Sequence, residues 1–120
     1  MAPILVVDDD DTILVSVAEL LELEGFAVAT AANGADALEL TRQLEPALVL
    51  LDMRMPVLDG WAYARALTEQ GLPRPKIVIM TAAHDARRWA DEIGADAFVP
   101  KPFEADELIA TVNEIVGSAA

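Results

Sequence analysis

The chain has 120 residues, with 21 acidic side chains, 8 lysines and arginines and no cysteine, and its formal net charge at pH 7 is −13. We expect one domain over residues 1–120, because this length suits a single continuous core, and the lack of cysteine excludes disulfides and thiolate sites. The acidic balance argues against direct nucleic-acid binding. With neither a run of about 18 apolar residues nor a basic, apolar leader, we expect a cytoplasmic protein without membrane contact.

Short apolar runs alternate along the chain with longer segments whose apolar residues recur at helical spacing. Nearly continuous apolar runs are typical of parallel strands covered on both faces. Their alternation with helices predicts an α/β fold of five βα units with right-handed crossovers. The predicted strands, in chain order, are 4–7, 27–31, 48–51, 76–80 and 97–99.

The first and last helices carry the clearest periodicity. Asp10 or Asp11 is the candidate N-cap of the first helix, and the last helix is predicted to begin near Glu104. Residues 117–120 are expected to be a frayed tail or the start of a linker. The apolar positions that share one face are Ile13, Leu14, Val17, Leu20 and Leu21 in the first helix and Leu108, Ile109, Val112, Ile115 and Val116 in the last.

The three middle helices have a weaker pattern. One is predicted after Asn33-Gly34, and the other two over 61–70 and 85–93. Glycine favours the left-handed conformation that ends a helix. The candidate stop positions are Gly25, Gly71 and Gly94.

Polar residues follow four of the strands at the point where each is predicted to end. The first strand runs into four aspartates, Asp8 to Asp11, and like carboxylates ~4 Å apart repel by roughly 4 kcal/mol at an effective dielectric of about 20. Some other group must offset that repulsion. Asp52, Thr81 and Lys101 follow three further strands, and ligands of open α/β sheets bind at these carboxyl ends.

Together these residues resemble the receiver domain of bacterial response regulators. Each element is common by itself, but the combination, in order and at strand ends, is specific and spans nearly the whole chain. The resemblance implies a doubly wound five-stranded parallel sheet of order 2-1-3-4-5, a flavodoxin-like (βα)5 fold, in a switch of two-component signalling. It is carried by Val7-Asp8-Asp9, Asp52-Met53-Arg54-Met55-Pro56 with Asp59-Gly60, Met80-Thr81-Ala82 and Lys101-Pro102-Phe103.

The resemblance also implies a role for individual residues. Asp52 would accept a phosphoryl group from a sensor histidine kinase or phosphotransfer protein, Lys101 would pair with its oxygens, and the Thr81 hydroxyl would bond one of them. Phe98 matches an aromatic switch position that turns inward when Thr81 moves. The implied Mg²⁺ ligands are Asp9, Asp52 and the backbone carbonyl of Arg54, with Asp8 acting through water.

Elementary chemistry is compatible with these roles. A carboxylate is a competent phosphoryl acceptor, and Mg²⁺ favours one or two carboxylates together with phosphate oxygens and water. Phosphorylation adds about −1.5 to −2 charges, enough to reorder neighbouring groups. The chain is then a regulator that catalyses only its own phosphorylation and dephosphorylation. Its output would pass through the helix 4–strand 5–helix 5 face to a downstream protein or domain, or to a phosphorylation-dependent homodimer.

Several of these residues also have plainer interpretations. Asp10 and Asp11 suit the positive end of a helix, Thr81 could cap the following loop, and Phe98 could be a static core aromatic. We expect a cis bond at Lys101-Pro102, although only ~5–6% of such bonds are cis in general.

Residues near the implied site invite further expectations. We expect Trp89 to mark a partner surface rather than to be buried by the sheet, and His84, in the loop after the fourth strand, to be solvated. Met53 and Met55 should pack within their loop. Arg54 would border the phosphoryl group and alter its lifetime.

Three other functions compete with the switch. An aspartyl-phosphate phosphohydrolase of the haloacid dehalogenase type typically has a second acid where this chain has Arg54. A flavodoxin-like cofactor carrier needs a phosphate loop rich in Ser, Thr and Gly, whereas this loop is four aspartates. A pseudo-receiver that binds partners without phosphorylation remains open.

Overall fold

The computed structural model describes residues 2–117, so of the predicted tail at 117–120 all but Gly117 lies outside the described residues. Five parallel strands form one sheet of order β2-β1-β3-β4-β5, as the resemblance implies. The strands are β1 (Ile4–Val7), β2 (Val28–Ala31), β3 (Leu48–Asp52), β4 (Lys76–Ala82) and β5 (Ala97–Lys101), and the helices are α1 (Asp11–Leu23), α2 (Gly34–Leu44), α3 (Gly60–Glu69), α4 (Ala83–Ile93) and α5 (Ala105–Val116).

The helices cover both faces of the sheet, which explains why β1, β3 and β4 contain long continuous apolar runs. Ile4 and Val6 of β1 pack in the core beneath α1 and α5, whereas Leu5 and Val7 pack in the core beneath α2, α3 and α4. Side chains alternate between the faces of a strand, so a strand segment covered on both sides favours apolar residues at consecutive positions. No helix in residues 2–117 is long and apolar enough to cross a bilayer.

Local signals set the helix ends close to their predicted positions. Asp10 caps α1 and accepts hydrogen bonds from the backbone N–H groups of Thr12 and Ile13, while Asp11 is the first helical residue. Asn33 caps α2 through a hydrogen bond to its third residue. Gly94 ends α4 in the left-handed conformation, at φ 68°. These groups satisfy backbone donors and acceptors that a helix end leaves unpaired.

Several predicted boundaries are wrong by one or two residues, and the start of α4 changes the setting of two predicted residues. Helix α4 begins at Ala83, so His84 belongs to the helix rather than to a loop, although its side chain is solvent-exposed as expected. The N-cap of α4 is Ala82, and Thr81 lies within β4, so Thr81 does not cap this helix.

Candidate functional site

Four polar side chains converge at the carboxyl edge of the sheet. Asp52 is the last residue of β3, Thr81 is the sixth residue of β4, Lys101 is the last residue of β5, and Asp8 directly follows β1. The register pairs Asp52 with Met80, which places Thr81 one residue beyond on the neighbouring strand. Asp8, Asp52 and Thr81 are only 1%, 7% and 4% exposed, unusually low values for polar groups.

Three carboxylates form a cluster at this edge. Oxygen atoms of Asp8, Asp9 and Asp52 all lie within 4.8 Å of one another, and Asp9 is exposed, so the cluster opens to solvent. Asp8 is held in place by the backbone N–H of Asp10, which donates to its Oδ1 at 2.9 Å. Hard oxygen ligands from carboxylates, with room for water, are the donor set that Mg²⁺ favours, so these residues fit that ion.

Lys101 supplies the charge that offsets the acidic cluster. Its Nζ lies 2.7 Å from Asp8 Oδ2 and 3.8 Å from Asp52 Oδ1. Among the described residues, it is the only cation within ion-pair distance of these acids. The sequence required a compensating group, and the structure shows that Lys101, 93 residues further along the chain from Asp8, is that group.

Burial perturbs the Asp52 carboxyl strongly. Loss of solvation raises the pKa of Asp52 from 3.8 to about 7, with further upward contributions from the charges of Asp8 and Asp9. Lys101 and a hydrogen bond from the Arg54 backbone N–H oppose that rise. A cation bound to the cluster would favour the ionised carboxylate, which is the nucleophilic form.

Phe98, Met53 and Met55 all pack against the core near the acidic cluster. Phe98 is half-buried at the edge of the core, with the Arg87 guanidinium carbon 5.7 Å from its ring centroid. Met53 is fully buried in the core and Met55 packs against the same core, so both side chains pack against the body of the domain and not only within their loop. The peptide bond between Lys101 and Pro102 is cis, as expected.

The expectation that Trp89 marks a partner surface is wrong. Trp89 is 4% exposed and lies in the core beneath α2–α4. Its ring packs edge-on against Trp61 of α3, and the Arg54 guanidinium lies over it. The contact between Arg54 and Trp89 was not predicted from the sequence, because these two residues are 35 positions apart and share no local pattern.

A doubly wound sheet with buried acids and a lysine at its carboxyl edge defines a class of α/β protein that handles charged ligands at that edge. The family profile described as the response regulator receiver domain matches residues 4–113 of this chain. The chain therefore belongs to the response-regulator receiver family of two-component signalling. Because the chain belongs to this family, it is neither a phosphohydrolase of the haloacid dehalogenase type nor a flavodoxin-like cofactor carrier.

Curated relatives include both longer and equally short proteins. The chain is 40% identical over 114 residues to the transcriptional regulatory protein PrrA of Mycobacterium tuberculosis, a match that covers 94% of this chain and 49% of that protein. It is 34% identical over 119 residues to protein PilH of Pseudomonas aeruginosa, covering 97% and 98%. The chain thus spans about half the length of its mycobacterial relatives and nearly all of PilH.

Solved structures share the whole fold. The receiver domain of the Francisella response regulator 1452 superposes with a TM-score of 0.87 at 28% identity, and each chain is covered to 100%. The Vibrio cholerae chemotaxis protein CheY4 gives a TM-score of 0.84 at 27% identity, with 96% of this chain and 98% of that chain covered.

Proposed function

We propose that this chain is a phospho-accepting switch, in which Asp52 takes a phosphoryl group from a sensor histidine kinase or phosphotransfer protein. The observation that carries the proposal is the buried Asp52 carboxyl, with its pKa raised to about 7, beside Asp8, Asp9 and Lys101 at one sheet edge. Membership of the receiver family supports the signalling context.

The acidic cluster suits one Mg²⁺ ion. Asp9, Asp52 and the backbone carbonyl of Arg54 would hold it, and Asp8 would act through water. When bound, the ion offsets negative charge on the incoming phosphoryl group and favours the ionised form of Asp52. The exposure of Asp9 supports this assignment, because the site needs an open side for metal, water and phosphoryl donor.

Phosphoryl transfer then depends on the protein's own groups. A carboxylate oxygen of Asp52 attacks phosphorus as the phosphorus–nitrogen bond to the donor histidine breaks. Lys101 moves from its contacts with Asp8 and Asp52 to pair with the phosphoryl oxygens. The Thr81 hydroxyl, buried one residue beyond the register partner of Asp52, donates a hydrogen bond to another of these oxygens.

Output would follow from the movement of Thr81 toward the phosphoryl group. That movement would open space into which Phe98 turns, since its half-buried ring already packs at the edge of the core. The α4–β5–α5 face would then change its shape for a downstream protein, an output domain or a second copy of the chain. Residues 1–120 would act as one receiver unit, either by itself or within a longer protein like the mycobacterial relatives.

Intact mass after incubation with acetyl phosphate and Mg²⁺ tests this function. We expect a gain of one phosphoryl group in the wild type and none in Asp52→Asn or after chelation of the metal. Glu19→Gln, at an exposed acid on α1, is the matched control and should gain the group normally. A wild type that gains nothing from either acetyl phosphate or a phosphorylated histidine donor would favour the pseudo-receiver.

A further inference from the structure

We propose that Trp89 is a positioning residue that holds the Arg54 guanidinium at the rim of the site, where it shields the phosphoryl group on Asp52 from water. This inference rests on the proposed function. It also gives a role to a large buried aromatic residue that the phosphoryl-transfer chemistry itself does not use.

The Trp89 ring is a fixed platform. Its edge-on contact with Trp61 has a centroid separation of 4.8 Å and an interplanar angle of 71°. Trp61 is anchored in turn, because its Nε1–H donates to Glu92 Oε1 at 2.8 Å. The aromatic pair is therefore held between α3, which carries Trp61, and α4, which carries Trp89.

The Arg54 side chain lies over the Trp89 ring. Its guanidinium carbon lies 4.9 Å from the centroid of the Trp89 ring, within the range of a cation–π contact. Arg54 also lies only two residues after Asp52, in the loop that leaves β3. Its contact with Trp89 therefore places the guanidinium on the α4 side of the site. Asp8 and Asp9 lie on the other side, where the chain enters α1.

The negative charge of the phosphorylated site favours a further cation such as the exposed Arg54 guanidinium. Asp8, Asp9 and a phosphoryl group on Asp52 together bring about four negative charges. Lys101 and one Mg²⁺ ion offset three of them. A planar guanidinium also binds two phosphoryl oxygens at once, which a lysine ammonium does not.

The step that this arrangement slows is hydrolysis. A water molecule attacks phosphorus and loses a proton to solvent, and the phosphorus–oxygen bond to Asp52 breaks to give the free carboxylate and inorganic phosphate. A guanidinium bonded to the phosphoryl oxygens excludes water from the α4 side. An unanchored arginine samples many rotamers and covers that side only part of the time.

Decay of the phosphorylated protein, followed by intact mass after removal of acetyl phosphate, tests the proposal. We expect Arg54→Ala and Trp89→Leu each to decay about threefold to tenfold faster than wild type, the range that a partly exposed cation–π contact supports. The double variant should decay no faster than Arg54→Ala. Trp89→Phe, which keeps an aromatic face, should stay close to wild type.

Arg88→Ala is the matched control, because Arg88 lies 6.0 Å from the same ring but belongs to α4 rather than to the loop. Its decay should be unchanged. Equal decay of Trp89→Leu and wild type, or additive effects in the double variant, would overturn the inference. Failure of the wild type to be phosphorylated would instead overturn the proposed function.

A fluorescence measurement covers the case in which Trp89→Leu does not fold. The chain has two tryptophans, so Trp61→Phe leaves Trp89 as the only one. Its emission in metal-free protein should change when Arg54→Ala is added, and phosphorylation should shift the emission only while Arg54 is present. Emission that is indifferent to Arg54 in both states would contradict the positioning role.

Discussion

Val57 in the β3–α3 loop carries a local backbone cost. Its φ is 70°, and its side chain is 80% exposed. The left-handed region is unfavourable for a β-branched residue, and no burial of the side chain compensates here. Asparagine tolerates this conformation far better.

We therefore expect Val57→Asn to raise the free energy of unfolding by about 1 kcal/mol, measured by urea denaturation. Val15→Asn is the matched control, since Val15 is also an exposed valine, at 58%, but lies within helix α1. That change should give no gain, because asparagine is no better than valine in a helix. An unchanged or lower stability of Val57→Asn would show that the loop is not strained.

Asp52 should make stability depend on pH in the metal-free protein. Its pKa is about 7 in the folded state against 3.8 for the ordinary group, so the folded state binds more protons between these values. Stability from this carboxyl is therefore present at low pH and is lost as pH rises from about 4 to about 7.

Asp52→Asn removes this titration. Each pKa unit corresponds to about 1.4 kcal/mol, so the variant should be more stable than wild type by about 2 kcal/mol or more at pH 8 without metal. The two proteins should converge toward pH 4, as followed by thermal unfolding across this range. Glu19→Gln should track the wild type at every pH, and a pH-independent gap between Asp52→Asn and wild type would contradict the assignment.

The residues that form the site were predictable because each is a local signal, a polar group that interrupts an apolar run. Asp52, Thr81 and Lys101 are of this kind. The burial of Trp89 was not predictable in the same way. Charged residues flank it in the sequence, but a helix has 3.6 residues per turn, so Arg87, Arg88 and Asp91 are exposed while Trp89 is buried with Ala86 and Ala90.

At the level of elements, the β3–α3 loop is held by close backbone contacts. The N–H of Gly34 donates to the carbonyl of Leu58 at 2.9 Å, and a Cβ at position 34 would lie 2.2 Å from that oxygen. Gly60 donates to the carbonyl of Met53 at 3.0 Å, which closes the loop at its other end. These contacts fix the loop that carries Arg54, and they require glycine because no side chain fits between the two backbones.

A buried hydroxyl pair joins α2 to α3. The oxygen of Tyr63 lies 2.7 Å from Thr41 Oγ1, and Thr41 itself donates to the carbonyl of Ala37 at 2.7 Å. Because the single Thr41 hydroxyl proton is used in that bond, Tyr63 must be the donor to Thr41. Burial raises the pKa of Tyr63, which keeps its phenol protonated for this purpose.

The two ends of this bond should therefore respond differently to substitution. Thr41→Val leaves the buried Tyr63 hydroxyl without an acceptor and should cost about 1–3 kcal/mol of unfolding free energy. Tyr63→Phe removes the donor and leaves Thr41 still bonded to Ala37, so it should cost about 1 kcal/mol or less. Urea denaturation of both variants measures the difference, and a larger loss in Tyr63→Phe would reverse the assigned direction.

Predicted strand ends fell short for a physical reason. The predicted ends were placed at the last residue of each apolar run. The strand pairing continues further, through Asp52 in β3, through Thr81 and Ala82 in β4, and through Lys101 in β5. The polar groups therefore sit on strands rather than in loops. A rigid scaffold positions such groups more accurately than a loop would.

Over the whole molecule, charge is divided between the two helical layers. Helices α1 and α5 contain no lysine or arginine, so the cations lie on the sheet, in its loops and on the opposite layer. The sequence predicted two covered faces but not which helices share one, because the strand order came from family resemblance. Once that order is known, the meeting of all four site residues at one edge follows from the parallel sheet.

An excess of 13 negative charges also destabilises the compact state by self-repulsion. Salt screens that repulsion, so NaCl should raise the melting temperature. At the same ionic strength Mg²⁺ should raise it further, because binding to the folded state alone contributes about 1.4 kcal/mol when the free ion is ten times its Kd. The Mg²⁺ excess, which is the additional rise in melting temperature with Mg²⁺ beyond that with NaCl, should increase from pH 5.5 to pH 8 as Asp52 ionises.

Asp9→Asn separates site binding from general screening. Asp9 is exposed and lies within the cluster of three carboxylates, so its substitution weakens the metal site without opening the core. The variant should keep the NaCl response and lose most of the Mg²⁺ excess, whereas Glu19→Gln, which removes the same charge from α1, should keep both. If Asp9→Asn retained the full excess at pH 8, Mg²⁺ would be acting on the acidic surface as a whole, and the cluster would not be its binding site.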